Sequence, residues 1–237
     1  MEKTARKILC MIPARGGSKG VKRKNIRHLG GKPLIQWTID EAKKSTYIDR
    51  IIVSTEDEEI QRVSEALEVE VFIRPRVLAQ DHTPSIDVVL HVLNELKTAG
   101  YKPDLVVLLQ CTSPLRKVEH IDEAFSILIQ NINNTDGIAS ITREEHPPWW
   151  MKRVDEKGYL IDFLEDKENI FTRRQDFPDV YRLNGAIYII KTEELYSKRS
   201  FITDKTMAYT MDAKSSIDID TKEDFQLAEL YARLLDR

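Results

Sequence analysis

Short apolar runs alternate with longer amphipathic stretches along the first half of the chain. The apolar runs lie at 8–12, 51–54, 69–73 and 105–109, and the helix-like stretches at 33–44, 58–67, 85–99 and 119–129. This alternation predicts an α/β fold in which a mostly parallel sheet carries helices on both faces. Ligands of such sheets bind at the carboxyl ends of the strands, so the residues directly after each strand are the candidates for a site.

The second half interrupts this pattern and then resumes it. Residues 142–182 show no clean helical period, and they contain Trp149, Trp150 and a turn-forming stretch at 155–158. About forty residues without regular structure would be unusual inside a compact domain. We therefore predict a protruding β-hairpin or arm at 142–182 that pairs with a second subunit, with the tryptophans as interface candidates. A surface excursion folded on its own subunit is the alternative.

Strand-like runs at 186–190, 208–211 and 216–220, a short helix near Glu193 and a closing helix at 222–235 complete the pattern. The predicted catalytic domain therefore comprises residues 1–141 and 183–237. Within it, we expect Pro33 to be the first residue of a helix and Asp57 to be the N-cap of the next.

Composition argues against several classes of protein. A net charge of −3 and a pI near 6.0 are atypical of a general nucleic-acid binder. No apolar stretch approaches the ~20 residues that span a bilayer, and no signal-like segment opens the chain. Cys10 and Cys111 lie inside apolar runs, which gives no support to a disulfide or a structural zinc site. We expect a soluble, unprocessed protein of the reducing cytoplasm.

Positive charge is concentrated near the N-terminus. Between Lys3 and Ile39 there are ten basic residues and no acidic one, and they surround the run IPARGGSKG at 12–20, directly after the first predicted strand. The run fits neither G-x-x-x-x-G-K-[ST] nor G-x-G-x-x-G, which argues against a P-loop NTPase and an NAD enzyme. Its backbone N–H groups and cations suit an extended triphosphate, with a solvated basic loop as the alternative.

Two carboxylates alternate with apolar residues in the run SIDID at 216–220. On an extended backbone Asp218 and Asp220 share one face while Ile217 and Ile219 face the core. Paired carboxylate oxygens suit Mg²⁺, which also takes substrate phosphates as ligands. The alternative is a capping-box-like start of the last helix, formed by Asp220 and Glu223.

Two further groups of polar residues flank predicted strands. Gln110, at a strand end, would hydrogen-bond a sugar or an acid, and Arg116 would pair with a carboxylate; this pattern alone has little specificity. Several polar residues before the strand at 186–190 suggest recognition of an anionic substrate; they are Arg173, Arg174, Arg182 and Asn184. Surface salt bridges with Asp176 or Asp179 are the alternative. No Ser/His/Asp arrangement and no histidine spacing typical of a metal site is legible.

Together these segments resemble the acylneuraminate cytidylyltransferases, or CMP-sialic acid synthetases. The resemblance rests on blocks in the family's order, at 12–20 with Lys24 and Asn25, 51–55, 74–75 with 78–79, 108–116, 184–188 and 216–221. It covers nearly the whole chain. Cys111 stands where many members have proline, and we expect this change to be tolerated because Gln110 and residues 113–116 are retained.

The resemblance implies a Rossmann-type domain like that of the nucleotide-diphospho-sugar transferases, a smaller dimerisation arm and a homodimer. It implies attack by the C2 hydroxyl of a nine-carbon 2-keto sugar acid on the α-phosphate of CTP, giving the CMP-sugar and pyrophosphate. The simplest acceptor is N-acetylneuraminate; legionaminic or pseudaminic acid is the nearest alternative. A catalytically silent nucleotide-sugar sensor is the alternative from another class, which the retention of both Asp218 and Asp220 disfavours.

The resemblance also assigns roles to individual positions. Arg15 and Lys24 would bind the triphosphate and offset the charge that develops on it. The remaining nucleotide-binding positions would be Ala14, Gly16, Asn25, Arg74, Thr83 and Ser85, and the sugar-binding positions Gln110, Arg174 and Asn184. Asp218 and Asp220 would hold Mg²⁺, the expected cofactor, and Asp220 is also a candidate for removing the hydroxyl proton.

Overall fold

The computed structural model describes residues 6–146, 148–164 and 178–235. Seven strands form the main sheet: β1 (Ile8–Pro13), β4 (Arg50–Thr55), β5 (Glu70–Ile73), β6 (Leu105–Leu108), β7 (Gly137–Arg143), β10 (Tyr181–Lys191) and β11 (Thr206–Thr210). Two small hairpins contain the other four: β2 (His28–Leu29), β3 (Lys32–Pro33), β8 (Lys152–Val154) and β9 (Leu160–Asp162).

The main sheet is mostly parallel, as predicted. Its strand order is β11-β7-β10-β6-β1-β4-β5, and β10 runs antiparallel to both of its neighbours while the other pairs are parallel. The register between β10 and β7 shifts between Leu183 and Tyr188. Gly185 lies in this irregularity at a φ of 73°, a conformation that glycine adopts without steric cost.

Six helices surround the sheet in the described part of the chain: α1 (Leu34–Lys44), α2 (Glu58–Ala66), α3 (Ser85–Thr98), α4 (Val118–Gln130), α5 (Thr192–Lys198) and α6 (Lys222–Leu235). Each corresponds to a predicted helix. Asp57 is the N-cap of α2, as predicted, and accepts hydrogen bonds from the N–H groups of Glu59 and Ile60. Pro33 precedes α1 instead of beginning it, so that detail was wrong.

The core has two main layers, one on each face of the sheet. Along β1, Ile8, Cys10 and Ile12 pack on the side of α1, α2 and α4, whereas Leu9 and Met11 pack on the side of α3 and α5. Successive side chains of a strand point to opposite faces, so a strand buried on both sides reads as one apolar run. The prediction of helices on both faces is confirmed.

Residues 216–220 do not form a strand of the sheet, contrary to the prediction. The alternation of side chains nevertheless holds in part, because Ile219 is fully buried in a third cluster with Val21 and Leu115. The capping box of α6 is formed by Thr221 and Asp224, whose side chains bond each other's backbone N–H groups. The Asp220 side chain therefore takes no part in this capping box, contrary to the alternative considered for it.

The interval 142–182 contains the predicted hairpin, formed by β8 and β9. Its turn lies at the expected place: the Asp155 carboxylate accepts hydrogen bonds from the N–H groups of Lys157 and Tyr159. The sequence did not reveal the small β2–β3 hairpin, nor that β7 and β10 continue pairing out to Arg143 and Tyr181. Among the described residues, no helix is both long and apolar enough to cross a membrane.

Candidate active site

A cleft of about 410 Å³ opens at the carboxyl-end edge of the sheet. This is the edge at which α/β sheets place their ligands. Most of the predicted site residues line the cleft: Arg15, Lys24, Asn25, Arg74, Thr83, Ser85, Gln110 and Asp220. Ala14 is buried beneath it, and its N–H donates to the carbonyl of Ser54. The fold thus gathers residues from five separate segments into one cavity.

The glycine-rich loop after β1 is held by bonds to acidic residues from other segments. The Arg15 guanidinium lies 2.8 Å from the Asp81 carboxylate, and the Lys19 ammonium lies 2.5 Å from its other oxygen. The N–H of Gly16 donates to Glu56 at 2.8 Å. The Asn25 side chain donates to the carbonyl of Arg15 at 2.9 Å, which fixes the loop from within. The loop is therefore a built structure and not a solvated basic run.

Arg74 is a buried cation at the edge of the cleft, with 5% of its surface exposed. Its Nε and Nη2 donate to one oxygen of Glu56 at 3.1 and 2.9 Å. Burial lowers the pKa of Arg74, while the Glu56 carboxylate acts in the opposite direction. Because the other oxygen of Glu56 accepts from Gly16, this carboxylate couples Arg74 to the glycine-rich loop.

Lys24 joins the same loop to residues 218–220. Its ammonium contacts the backbone carbonyl of Ile219 and lies 3.2 Å from the Asp220 carboxylate. Gly20 makes the approach possible, because a Cβ at this position would lie 1.9 Å from the backbone oxygen of Asp220. The requirement for glycine here is steric, since only a residue without a side chain fits.

Asp218 lies beside Gln110 and Gly185: a Cβ on Gly185 would lie 3.1 Å from the Gln110 Oε1 and 3.6 Å from a carboxylate oxygen of Asp218. The Asp218 Oδ1 is buried and has no hydrogen-bond partner in the described residues. Burial raises the pKa of Asp218 and the charge of Asp220 acts in the same direction, whereas the neighbouring Thr112 hydroxyl, whose oxygen is also buried without a well-formed hydrogen bond, acts to lower it. A buried polar atom without a partner is uncommon and calls for a ligand, and a hard cation would satisfy this oxygen.

One predicted sugar-binding residue, Asn184, is placed differently from what its role requires, and another lies outside the described residues. Asn184 is buried and fully bonded: its amide oxygen accepts from Ser140 and from the Ala186 N–H, and its nitrogen donates to Ser216 at 2.9 Å. Asn184 does not line the cleft. Arg174 lies outside the described residues, as does Arg173.

The prediction that Arg116 pairs with a carboxylate is wrong. Its guanidinium is buried, with 1% of the residue exposed. It donates to the carbonyls of Gln110 and Ala186 at 3.2 and 2.7 Å, and to the Thr38 hydroxyl at 2.9 Å. These hydrogen bonds support the turn after β6 from its buried side. Arg182, by contrast, lies 3.3 Å from Glu144 in a surface ion pair, and Asp179 pairs with Arg143. Asp176 lies outside the described residues.

Sequence reasoning missed two acidic residues that pair with cations of the cleft: Asp81, which lines it, and Glu56, which does not. Glu56 directly follows β4, so the rule that sites gather at strand ends would have found it. Asp81 lies in a turn between two helical segments, where no periodic pattern marks it.

Solved structures share this fold. The CMP:2-keto-3-deoxy-manno-octonic acid synthetase complexed with CTP superimposes with a TM-score of 0.72 at 15% identity, covering 97% of this chain and 99% of that one. The 4-diphosphocytidyl-2C-methyl-D-erythritol synthase of Anaerococcus prevotii gives a TM-score of 0.64 at 18% identity, covering 98% and 99%. The fold is therefore that of the α/β nucleotidyltransferase class.

The sequence match is more specific. The cytidylyltransferase family model matches residues 9–234, and this chain belongs to that family. An N-acylneuraminate cytidylyltransferase of Streptococcus agalactiae is 37% identical over 221 residues, which is 92% of this chain and 52% of the relative. This chain thus spans about half the length of that relative.

Two other relatives match this chain over their whole length. The CMP-N,N'-diacetyllegionaminic acid synthase of Legionella pneumophila is 35% identical, covering 96% of this chain and 97% of the relative. The pseudaminic acid cytidylyltransferase of Campylobacter jejuni is 31% identical with the same coverage.

Proposed function

We propose that this protein transfers CMP from CTP to the C2 hydroxyl of a nonulosonic acid, with N-acetylneuraminate as the acceptor, and releases pyrophosphate. The observation that carries the proposal is the meeting of Arg15, Lys24 and Asp220 around one cleft, with Asp218 close enough to Asp220 to feel its charge. Cations can neutralise a triphosphate there, and carboxylates can hold a divalent cation beside it. The family match and the Streptococcus relative support the same reading.

Mg²⁺ is the proposed cofactor, and Asp218 and Asp220 would hold it. The unpartnered Oδ1 of Asp218 is the feature that fits a metal. When bound, the ion would offset phosphate charge and orient the α-phosphate. In the described part of the chain no cluster of three or more His, Cys, Asp or Glu side chains could hold a metal. Two carboxylates match an ion that completes its shell with water and substrate phosphate.

The other residues of the cleft would position the two substrates. Arg15 would leave Asp81 for the triphosphate, since phosphate offers it the stronger charge-assisted bonds. Arg74, held by Glu56, would contact the nucleotide together with Asn25, Thr83 and Ser85. Gln110, adjacent to Asp218, would hydrogen-bond the sugar acid. The sugar acid would then lie beside Gln110 and the metal-binding carboxylates, an arrangement that would suit an in-line attack on the α-phosphate.

The experiment is a pyrophosphate-release assay with CTP, Mg²⁺ and N-acetylneuraminate. We expect activity in the wild type, loss of activity in EDTA with recovery on adding Mg²⁺, and a fall of about 10²- to 10³-fold in kcat for Lys24→Gln. Lys22→Gln is the matched control, because Lys22 is exposed and does not line the cleft. Nucleotide binding without any pyrophosphate release would overturn the proposal and favour a nucleotide-sugar sensor.

A second candidate acceptor is legionaminic acid. The observation in its favour is that the Legionella synthase matches this chain over 97% of its own length. The assay therefore includes legionaminic and pseudaminic acids in parallel with N-acetylneuraminate. The acid with the highest kcat/KM identifies the acceptor, since this ratio measures discrimination between competing substrates.

We also propose that the segment 142–182 is a dimerisation arm. Its β8–β9 hairpin exposes large apolar side chains, with Val154 and Leu160 exposed by 67% and 72%. Contiguous apolar surface of this kind is typical of an interaction site. Sedimentation analysis should show a dimer, and Val154→Lys with Leu160→Lys should shift it to monomer. A monomeric wild type at assay concentrations with full activity would contradict the arm's role.

A further inference from the structure

A second cavity, which we call the rear cavity, lies at the edge of the sheet opposite the cleft. It encloses about 480 Å³ where β1 and β6 begin and β10 ends, and it shares no lining residue with the cleft. Helix α3 connects the two: Ser85 in its first turn lines the cleft, and Lys97 in its last turn lines the rear cavity. Its volume is within the range of small-molecule sites.

The walls of the rear cavity carry an excess of unpaired positive charge. Four cations line it, namely Arg6, Lys97, Lys102 and Lys191, against two carboxylates, Asp104 and Glu193. Within the described residues none of the four cations forms an ion pair; Lys97 lies 5.7 Å from the centre of the Tyr196 ring. The Asp104 carboxylate already accepts the N–H of Lys7 at 2.7 Å. In the cleft, by contrast, Arg15, Lys19 and Lys24 all have acidic partners.

Two hydroxyl groups of the same walls are buried without partners. The Tyr101 Oη and the Thr192 Oγ1 have no hydrogen-bond partner in the described part of the chain. Buried hydroxyls are normally bonded, but these two oxygens have almost no accessible surface, so they lie within the walls and do not face a ligand in the cavity. Burial raises the pKa of Tyr101, and its phenol is therefore a donor at neutral pH. Thr192 is held in place because its N–H donates to the Asp104 carbonyl at 3.0 Å.

We propose that the rear cavity is a binding site for a small phosphomonoester with an apolar organic body. The unpaired cations match a dianion. A phosphate offers three terminal oxygens to this set, one more than a carboxylate. Leu93, Leu105 and Ile132 supply an apolar wall for the remainder of the ligand.

The test measures the binding of phenyl phosphate to the full chain by calorimetry at low ionic strength. We expect one site that survives Arg15→Gln, a change confined to the cleft. Lys102→Gln with Lys191→Gln should weaken binding about tenfold or more. Benzyl alcohol, the neutral analogue, should not bind, and benzoate should bind more weakly than phenyl phosphate.

Lys198→Gln with Lys205→Gln is the matched control, since these lysines lie outside the rear cavity. Melting curves of each variant separate lost binding from lost folding. The proposal is overturned if phenyl phosphate does not bind, if its binding disappears in Arg15→Gln and persists in the rear-cavity variant, or if benzyl alcohol binds equally well. None of these readouts depends on the cytidylyltransferase activity, so the two proposals fail separately.

Discussion

Lys24 and Asp220 lie 3.2 Å apart although 196 positions separate them in the sequence. This contact joins the basic loop that follows the first strand to the acidic pair that precedes the last helix. In the proposed reaction Lys24 would bind phosphate oxygens and Asp220 the metal, so the pair sets the distance between the two charges that the triphosphate must bridge. The position of the loop relative to residues 218–220 should therefore control the rate.

The first prediction concerns that position. Gly20→Ala places a Cβ 1.9 Å from the Asp220 backbone oxygen, whereas a Cβ on Gly17 meets nothing within 4 Å. The two glycines lie in the same loop, and neither has a positive φ. A shift of about 1 Å at a reacting site costs about 10²-fold, so Gly20→Ala should lower kcat by that order while Gly17→Ala stays near wild type. Steady-state kinetics on both variants checks this; equal activities would contradict it.

The second prediction separates stability from activity at Asp218. Burial raises the pKa of Asp218, so its ionisation opposes folding, and the stability present at low pH is lost as the pH rises through its folded-state pKa. Without metal, Asp218→Asn should therefore unfold at higher urea than wild type at neutral pH, with the difference vanishing below about pH 4. The same variant should lose about 10²- to 10³-fold in kcat.

Asp212→Asn is the control for this prediction, because it should have the opposite sign. Partial burial acts to raise the pKa of Asp212, but hydrogen bonds from Ser215 lower it. The Ser215 N–H donates to the Asp212 carboxylate at 2.9 Å. Its ionised form therefore favours folding, and Asp212→Asn should destabilise the protein at neutral pH. Urea titrations of both variants at several pH values measure the two signs; a destabilised Asp218→Asn would refute the assignment.

The third prediction concerns Asp81, which forms ion pairs with Arg15 and Lys19 of the glycine-rich loop. Lys19 and Arg15 beside it hold the pKa of Asp81 below its usual range, and it competes with phosphate for them. Asp81→Asn should lower the Kd for CTP about two- to fivefold, the size of an exposed ion pair. The control is Glu59→Gln, which removes a partner of Arg23 away from the cleft. Weaker binding in Asp81→Asn would show that Asp81 positions the cations instead.

The sequence predicted the layers of the fold well because they follow from periodicity. Strands buried on both faces, such as β1, appear as unbroken apolar runs, and Asp57 at the start of α2 has the residue type of an N-cap. The site was predicted in outline for a related reason: strand ends in an α/β sheet lie at one edge, so Arg15, Arg74 and Gln110 had to approach one another.

What the sequence could not reveal depends on contacts between distant segments. Asn184 lies within β10 and Arg116 lies between β6 and α4, and at either place a polar side chain can point into a cleft or into the core. The choice depends on partners such as Ser216 and Thr38, brought near only by the fold. Likewise Asp220 and Glu223 have the spacing of a capping box, but Thr221 and Asp224, one residue on, form it. A one-residue ambiguity of this kind is decided by packing, here by the burial of Ile219.

The last prediction tests Arg116 as a support of the cleft. Burial lowers its pKa to about 10, so the guanidinium is still charged at neutral pH, and its bonds tie Gln110 to Ala186 and Thr38. A lysine ammonium cannot reach three acceptors from one point, so Arg116→Lys should leave buried groups unpaired and cost about 2–4 kcal/mol of unfolding free energy.

Because Gln110 moves with this turn, KM for the sugar acid should rise more than KM for CTP. Arg62→Lys, at an exposed ion pair, should change neither quantity; a stable Arg116→Lys with unchanged KM values would show that the turn holds its shape without the guanidinium.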